Sequence, residues 1–527
     1  MKKDDEFFVM VVYNTNSEST AFSWMTKEQT ACKTMEYLFT QCEDIACRSV
    51  APMQDTPANR ITYEAKVTVP NGFVVKMSAN ETNMEVVGNK TTFYFENKIA
   101  MPSYLIAMAI GDLEYRSLGE RTGVITEPCR IDAVADELVE LPDFLDKAEA
   151  YLTPYIWGNY TILILPPSFP MGGMENPLLT FASPTIITGD KSQVDVAIHE
   201  IAHSWTGNEI TCENWSNFWL NEGFTVFEER KVSAQLHDED FSKVNAFIGN
   251  ISATSDMLGY GIGNNYSSLY PLVENNFPDD SFSTVPYEKG FQLLYYMETE
   301  LLGADNMQKL LRQYITKFSL TSVNYMDFKG EFEAFVDATY EAAEATTIKG
   351  KMDWETWVKS PGLAPVFLDF TTPALNESSD LADQYITLAG ASSPSNFEDF
   401  KGWYSSLQVI MLTQLNTRKE DVNPTIMAKI DADLNVTNTL DPECKNVWFQ
   451  LGIRAGYEVV VEPAHTFISS MGRMKYLKPI YQALMDTNQL DLAKKWYQEN
   501  VNFYHPYAVA ALYKMLYGGD MATQMIQ

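Results

Sequence analysis

In the stretch Asp195-Val196-Ala197-Ile198-His199-Glu200-Ile201-Ala202-His203-Ser204-Trp205-Thr206-Gly207, apolar side chains return at helical intervals. Val194, Ile198, Ile201, Ala202 and Trp205 form one stripe, which predicts an amphipathic helix with Gly207 as its terminator. Positions four apart on a helix lie one turn above the other, so His199 and His203 aim their imidazoles at one point. Two nitrogen donors with Glu200 beside them suit a zinc ion, one per chain, and a water that Glu200 can deprotonate. A catalytic zinc wants three protein ligands and one open position. The third is expected from Trp219-Leu220-Asn221-Glu222-Gly223-Phe224-Thr225, where Glu222 follows His203 with eighteen residues between them and opens a second predicted helix. Glu229, seven residues further, falls on the same face and could orient a ligand histidine. The bland alternative is a solvated helix face bearing His and Glu by accident. It fits poorly, because the chain has only five histidines and the flanking periodicity buries the opposite side of this helix.

Outward from this region the pattern changes in both directions. Residues 1–114 read as an N-terminal antiparallel β domain of short apolar or alternating runs, such as Ile61 to Val69 and Phe73 to Met77 around the turn Pro70-Asn71-Gly72. The run Phe7 to Tyr13 reads as a further strand. Few strands fit before Glu114, so this domain is expected to be incomplete, a shortened form of a larger one. Residues 115–362 mix strands and helices and hold the chemistry. Beyond Pro361-Gly362-Leu363-Ala364-Pro365, residues 363–527 lose their strand signals and read as an all-helical domain of stacked helix pairs, with helical segments such as 478 to 499. The expected class is α+β multidomain.

Thirty-eight basic against 70 acidic residues leave a formal charge of -32, which repels phosphate backbones and anionic lipid heads. Nucleic-acid binding is disfavoured and a cationic substrate favoured. No stretch approaches the length of a membrane span. The cysteines at 32, 42, 47, 129, 212 and 444 show neither zinc-finger nor dense disulfide spacing, so all are expected to be reduced thiols in a cytoplasmic protein.

Upstream of the histidine helix, Gly172-Gly173-Met174-Glu175-Asn176 completes a pattern that resembles the gluzincin aminopeptidases of peptidase family M1, most closely their leukotriene A-4 hydrolase branch. Leu165 to Pro170, Val285-Pro286-Tyr287-Glu288-Lys289-Gly290 and Gly472-Arg473-Met474-Lys475 have counterparts in the same order, so the resemblance runs over essentially the whole chain. It implies a β domain, a thermolysin-like zinc domain and a helical domain around a deep cleft. The implied activity is that of a zinc aminopeptidase acting on short peptides by metal-activated water attack. Its alternatives are hydrolysis of a fatty-acid epoxide, as in the leukotriene branch, or a catalytically impaired scaffold.

By residue type, Gly172-Gly173 is a permissive turn that leads Met174, Glu175 and Asn176 into an extended edge along which a peptide can lie. The resemblance adds roles. It implies that Glu175 binds the substrate's α-ammonium, and that a loop with Gln41 and Glu43 reaches the same place, Glu43 standing where the leukotriene branch has an amide. It makes Tyr287 the donor to the tetrahedral oxyanion. It assigns Arg473 and Lys475 to the far carboxylate of a peptide or fatty acid, and Asp279 to the water of epoxide opening. Phe282 and Met171 stand where that branch has tyrosines, which weakens the epoxide alternative. Each role has a bland alternative: a surface turn for Glu175, a solvated loop residue for Glu43, a basic loop for Arg473 and Lys475 and a turn residue for Asp279, while Tyr287 by composition alone reads as a core residue.

Overall fold

The computed structural model describes residues 8–16, 18–273 and 276–518. Its first part holds two antiparallel sheets. Strands β1 (Phe22–Met25), β2 (Tyr37–Thr40), β4 (Val74–Met77) and β7 (Met108–Gly111) form one, in the order β1-β2-β7-β4. The other is β3 (Arg60–Pro70), β6 (Lys90–Pro102) and β5 (Asn80–Val87), in the order β3-β6-β5. Alternation sets its faces: Thr91, Phe93, Phe95 and Asn97 of β6 point inward and their neighbours outward. Because β3 and β4 join different sheets, Pro70-Asn71-Gly72 links them without closing a hairpin.

Over residues 8–13 the strand expected from Phe7 to Tyr13 does not form. Residues 8–13 are irregular and exposed, and Phe7 lies outside the described residues. An apolar run becomes a strand only where a neighbour takes up its backbone bonds, and among the described residues no strand pairs with this one.

The catalytic part begins with β8 (Glu114–Ser117), β9 (Thr122–Thr126), β10 (Tyr160–Ile164), β11 (Gly173–Met174) and β12 (Thr180–Ala182). They form a mixed sheet in the order β11-β12-β10-β9-β8, with β11 at an edge. Helices α1 (Ile131–Glu137), α2 (Leu141–Tyr151), α3 (Val196–Ala202), α4 (Trp219–Leu236), α5 (Glu239–Tyr260) and α6 (Val285–Tyr296) pack with it. One continuous core runs from Tyr37 and Phe39 of the β domain through Ile162 and Phe181 to Phe224 and Leu293.

After Val323 there is no strand among the described residues. From Pro373–Leu388 to Pro506–Tyr517 the chain is helical, around a separate core. The stretch 478 to 499 falls in two helices, Met474–Asp486 and Leu490–Asn500, broken where Asn488 takes a φ of 60°. The last helix returns to the β domain. His505 Nδ1 accepts the Tyr507 N–H as a helix cap, so its Nε2 carries the hydrogen and donates to Ser23 Oγ at 2.8 Å.

Cys32 and Cys129 are joined by a disulfide across 97 residues of sequence, which overturns the expectation of six reduced thiols; the other four are free and buried. Spacing cannot reveal a pair brought together only by the fold. The same junction is held by Glu127, whose carboxylate accepts the N–H groups of Ala31 and Cys32, both at 2.8 Å. The thiol argument for a cytoplasmic setting falls with this pairing. Among the described residues no helix is long and apolar enough to cross a membrane.

Candidate active site

The histidine helix ends at Ala202, earlier than the sequence suggests, and His203 caps it with near-helical backbone before Gly207 turns the chain at a φ of 135°. His199 Nε2 and His203 Nε2 lie 3.1 Å apart, and Glu222 Oε2, in the first turn of α4, stands 3.6 and 3.3 Å from them. Ligands ~2.0–2.1 Å from a tetrahedral zinc are about 3.3 Å from one another, so these three atoms have the dimensions of one face of that tetrahedron. Glu222 Oε2 is buried with no hydrogen-bond partner. Burial works against charge here, yet His203 and His199 hold the Glu222 carboxyl at about 2. In turn Glu222 and Glu175 hold His203 up at about 9 against its burial. Two imidazoles, each neutral once it ligates through Nε2, and a buried carboxylate at this spacing fit a zinc ion.

The outer nitrogens are fixed as well. His199 Nδ1 donates to Glu229 Oε2 at 2.9 Å. With its Nε2 facing the other donors, His203 carries its hydrogen on Nδ1 and donates to Thr206 O at 3.0 Å. Thr225 Oγ1 donates to the same carbonyl at 2.8 Å. Such outer partners hold ligand rings in place and are worth ~10–100-fold in metal affinity.

Two glycines bring the second half of the site in. A Cβ on Gly223 would lie 2.6 Å from Gly290 Cα, and one on Gly290 would lie 2.8 Å from Gly223 Cα, so α4 and α6 cross at backbone contact. Tyr287, one turn ahead of Gly290, is thereby stacked on His199, with ring centroids 6.1 Å apart and planes 20° apart. Phe218 and Phe282 pack edge-on against the same ring. Burial and the nearby Glu222 push the phenol well above its usual range, so it stays a neutral donor.

Glu200 is buried beside the imidazoles, its Oε2 unpartnered, and burial pushes its carboxyl up to about 7. Next to it lies the β11 edge, where Met174 and Asn176 are buried and Glu175 is only 4% exposed. Glu175 Oε1, Glu43 Oε1 and Gln41 Oε1 are all buried without partners. Gln41 Nε2 donates to Met174 Sδ at 3.2 Å, which ties the β-domain loop to this edge. Burial, then the charge of Glu175, raises Glu43 well above the usual carboxylate range.

Arg473 reaches Gly172 and Thr185 from the helical domain. Its Nη2 is 3.0 Å from where a Cβ on Gly172 would stand, and Nη1 donates to Thr185 Oγ1 at 2.9 Å. No carboxylate among the described residues pairs with it within 4.0 Å. Lys475 is placed differently, paired with Glu443 at 2.6 Å. Asp279 sits on the exposed turn Pro278–Ser281, near enough to Glu43 and Asp44 to raise both.

Three parts of the chain match family models: the peptidase M1 N-terminal domain over residues 2–105, the peptidase family M1 domain over 140–357, and the C-terminal domain of leukotriene A4 hydrolase over 403–516. The chain is 37% identical over 511 residues to leucine aminopeptidase 2 of Aspergillus clavatus, covering 96% of this chain and 81% of that one. The chain belongs to peptidase family M1. This M1 peptidase is also 34% identical to leucine aminopeptidase 2 of Aspergillus terreus, over 98% of this chain and 84% of that one. It superposes on yeast LTA4 hydrolase in complex with bestatin with a TM-score of 0.86 at 31% identity, over 95% of this chain and 81% of that one. It is a hydrolase, a zinc-dependent aminopeptidase.

Sequence reasoning missed several residues of this M1 peptidase that shape the site. Gly223 and Gly290 carry a signal, since a helix-interior glycine costs about 1 kcal/mol and asks for a packing reason. Glu228 is the other. It turns inward beside Glu229, wholly buried; its Oε2 accepts from Thr206 Oγ1 at 3.0 Å and its Oε1 has no partner. Burial pushes this carboxyl up to about 8 from the ordinary 4.5. Between those values the folded chain holds a proton that the unfolded chain has lost. Stability therefore falls as pH rises through the window, by roughly 1.4 kcal/mol per unit. Glu228→Gln keeps the shape and never ionises. It is expected to raise the unfolding temperature by a few degrees at pH 8 and to leave it near wild type at pH 5. Equal shifts at both values would dismiss the proton as the cause.

Proposed function

We propose that this site removes the N-terminal residue of short peptides, and that Glu175 and Glu43 recognise the free amine. The observation that carries the reading is the pair of buried, unpartnered carboxylate oxygens beside the three-donor site. An α-ammonium, mostly charged at neutral pH, would give both oxygens a charged hydrogen-bond donor.

A zinc ion held by His199, His203 and Glu222 would polarise the scissile carbonyl and make a water acidic enough to lose its proton near neutrality. Glu200 takes that proton and returns it to the departing amine. Tyr287 donates its phenol hydrogen to the oxyanion. Arg473, whose Nη1 is held by Thr185 and Tyr476, offers the rest of its planar fork to the far carboxylate of a short peptide, and Lys475 would join it by leaving its pairing with Glu443. Phe282 and Met171, standing where the leukotriene branch has tyrosines, argue against a fatty-acid epoxide as the substrate.

The test compares a leucyl anilide with its N-acetylated form. The free amine is expected to be strongly preferred, and Glu175→Gln to raise KM for it by about 10–100-fold, the ~1.5–3 kcal/mol of a hydrogen bond to a charged group. Equal turnover of the acetylated substrate would dispose of the amine site. A lipid epoxide offered to the same preparation is expected to remain intact.

A further inference from the structure

The loop that follows the histidine helix is gripped from outside the catalytic domain. Arg60, the first residue of β3, spans the junction. Its Nε and Nη2 donate to Ala100 O, on the neighbouring strand β6, at 3.1 and 2.9 Å. Its other contacts reach across: Nη1 donates to Thr211 Oγ1 at 2.8 Å and Nη2 to Asn208 O at 2.6 Å. Burial lowers this guanidinium to about 10, which leaves it charged at neutral pH, yet no carboxylate among the described residues pairs with it within 4.0 Å. Its acceptors are carbonyls and a hydroxyl, so what it contributes is the fixed geometry of a planar fork.

Asn208 is almost fully buried and braced at three points. Its N–H donates to His203 O at 3.0 Å, its carbonyl is held by Arg60, and its Nδ2 donates to Glu175 O at 2.8 Å. Glu175 lies just past the short β11 edge, whose ladder covers only Gly173 and Met174. The backbone that aims the Glu175 carboxylate is thus anchored, through one asparagine, to a residue 115 positions earlier in the chain. Tyr104, also from the β domain, donates to Gly207 O at 3.0 Å and accepts from Asn221 Nδ2 at 3.1 Å, next to Glu222. It serves the metal side of the site alone, whereas Arg60 holds Asn208, whose backbone N–H bonds His203 O and whose side chain alone reaches Glu175.

We propose that Arg60 is a positioning residue for amine recognition, acting through Asn208 to set where Glu175 meets the substrate's N-terminus. The inference rests on the amine reading above. A displacement of about 1 Å at a recognition group can cost up to ~10²-fold, and strain passed through one asparagine should cost less.

The experiment uses two metal-binding inhibitors, leucine hydroxamate and its des-amino analogue, on wild type, Arg60→Ala, Arg60→Lys and Asn208→Ala. The amine-bearing compound is expected to weaken about 10-fold in Arg60→Ala and the des-amino compound less than about 2-fold, with zinc retained. Arg60→Lys keeps the charge and loses the fork, so it should show the same split at a smaller size, and it keeps the test open if the alanine variant fails to fold. Asn208→Ala should show the split too, and the Arg60/Asn208 double variant should lose no more than the larger single loss. Equal weakening of both inhibitors, or additive losses in the double variant, would overturn the role of Arg60. If wild type itself fails to favour the amine-bearing inhibitor, the amine reading falls instead.

Discussion

Glu200→Gln is expected to lower the turnover of a leucyl anilide by about 10³-fold, with bound zinc and KM near wild type. General base catalysis contributes ~10²–10⁴-fold, and this carboxyl is the buried acceptor beside the three donors that the structure leaves unpartnered at Oε2. Glutamine has the same outline and cannot take a proton. The variant should therefore fit the tight space against Gly173 and fail only in chemistry. His203→Ala supplies the contrast. It removes one of three donors and should lose metal and activity together, as measured by elemental analysis and assay on one preparation. The pH profile carries the same signature with a defined sign. The base works when ionised, and burial raises it to about 7, so activity should climb as pH rises through its acid limb. A bound dication stabilises the ionised form and moves that limb below pH 7. A glutamine variant that kept more than a tenth of wild-type turnover would remove Glu200 from the mechanism.

What could be read in the sequence followed from how local each feature is. His199, His203 and Glu200 lie within one helical turn, so the period of the apolar residues around them was enough to set their geometry. Glu222 was legible because its helix announces itself a short distance downstream. Glu43, Tyr287 and Arg473 come from three distant segments, and only resemblance to a family could group them. Arg60 left no trace, because its partners across the junction include the main-chain carbonyls of Asn208 and Thr321, and every sequence has such groups. The run from Phe7 to Tyr13 shows the converse error. Hydrophobicity marks a segment that would gain by pairing, but it does not say whether a neighbouring strand exists. Cys32 and Cys129 failed for a related reason: 97 residues apart, they meet only because the β domain folds against the end of β9.

Gly173→Ala is expected to lower kcat by about 10²-fold with little change in the unfolding temperature. The added methyl would overlap Glu200 Oε1 and come within 3.1 Å of Phe181 O, the backbone of the neighbouring strand β12. The strand cannot give, so the carboxylate must. No left-handed backbone is required at Gly173, and β11 is an edge, so alanine itself is tolerable there and stability should hold. The cost falls on the base, which would swing away from the position that matches the three donors; such a shift is worth up to ~10²-fold in rate. Gly172→Ala makes the comparison sharp. Its methyl meets the end of the Arg473 side chain at 3.0 Å, a group that can move aside. That variant should therefore raise KM for short peptides more than it lowers kcat. Wild-type kcat in Gly173→Ala would mean that Glu200 does not work from the position the structure assigns it.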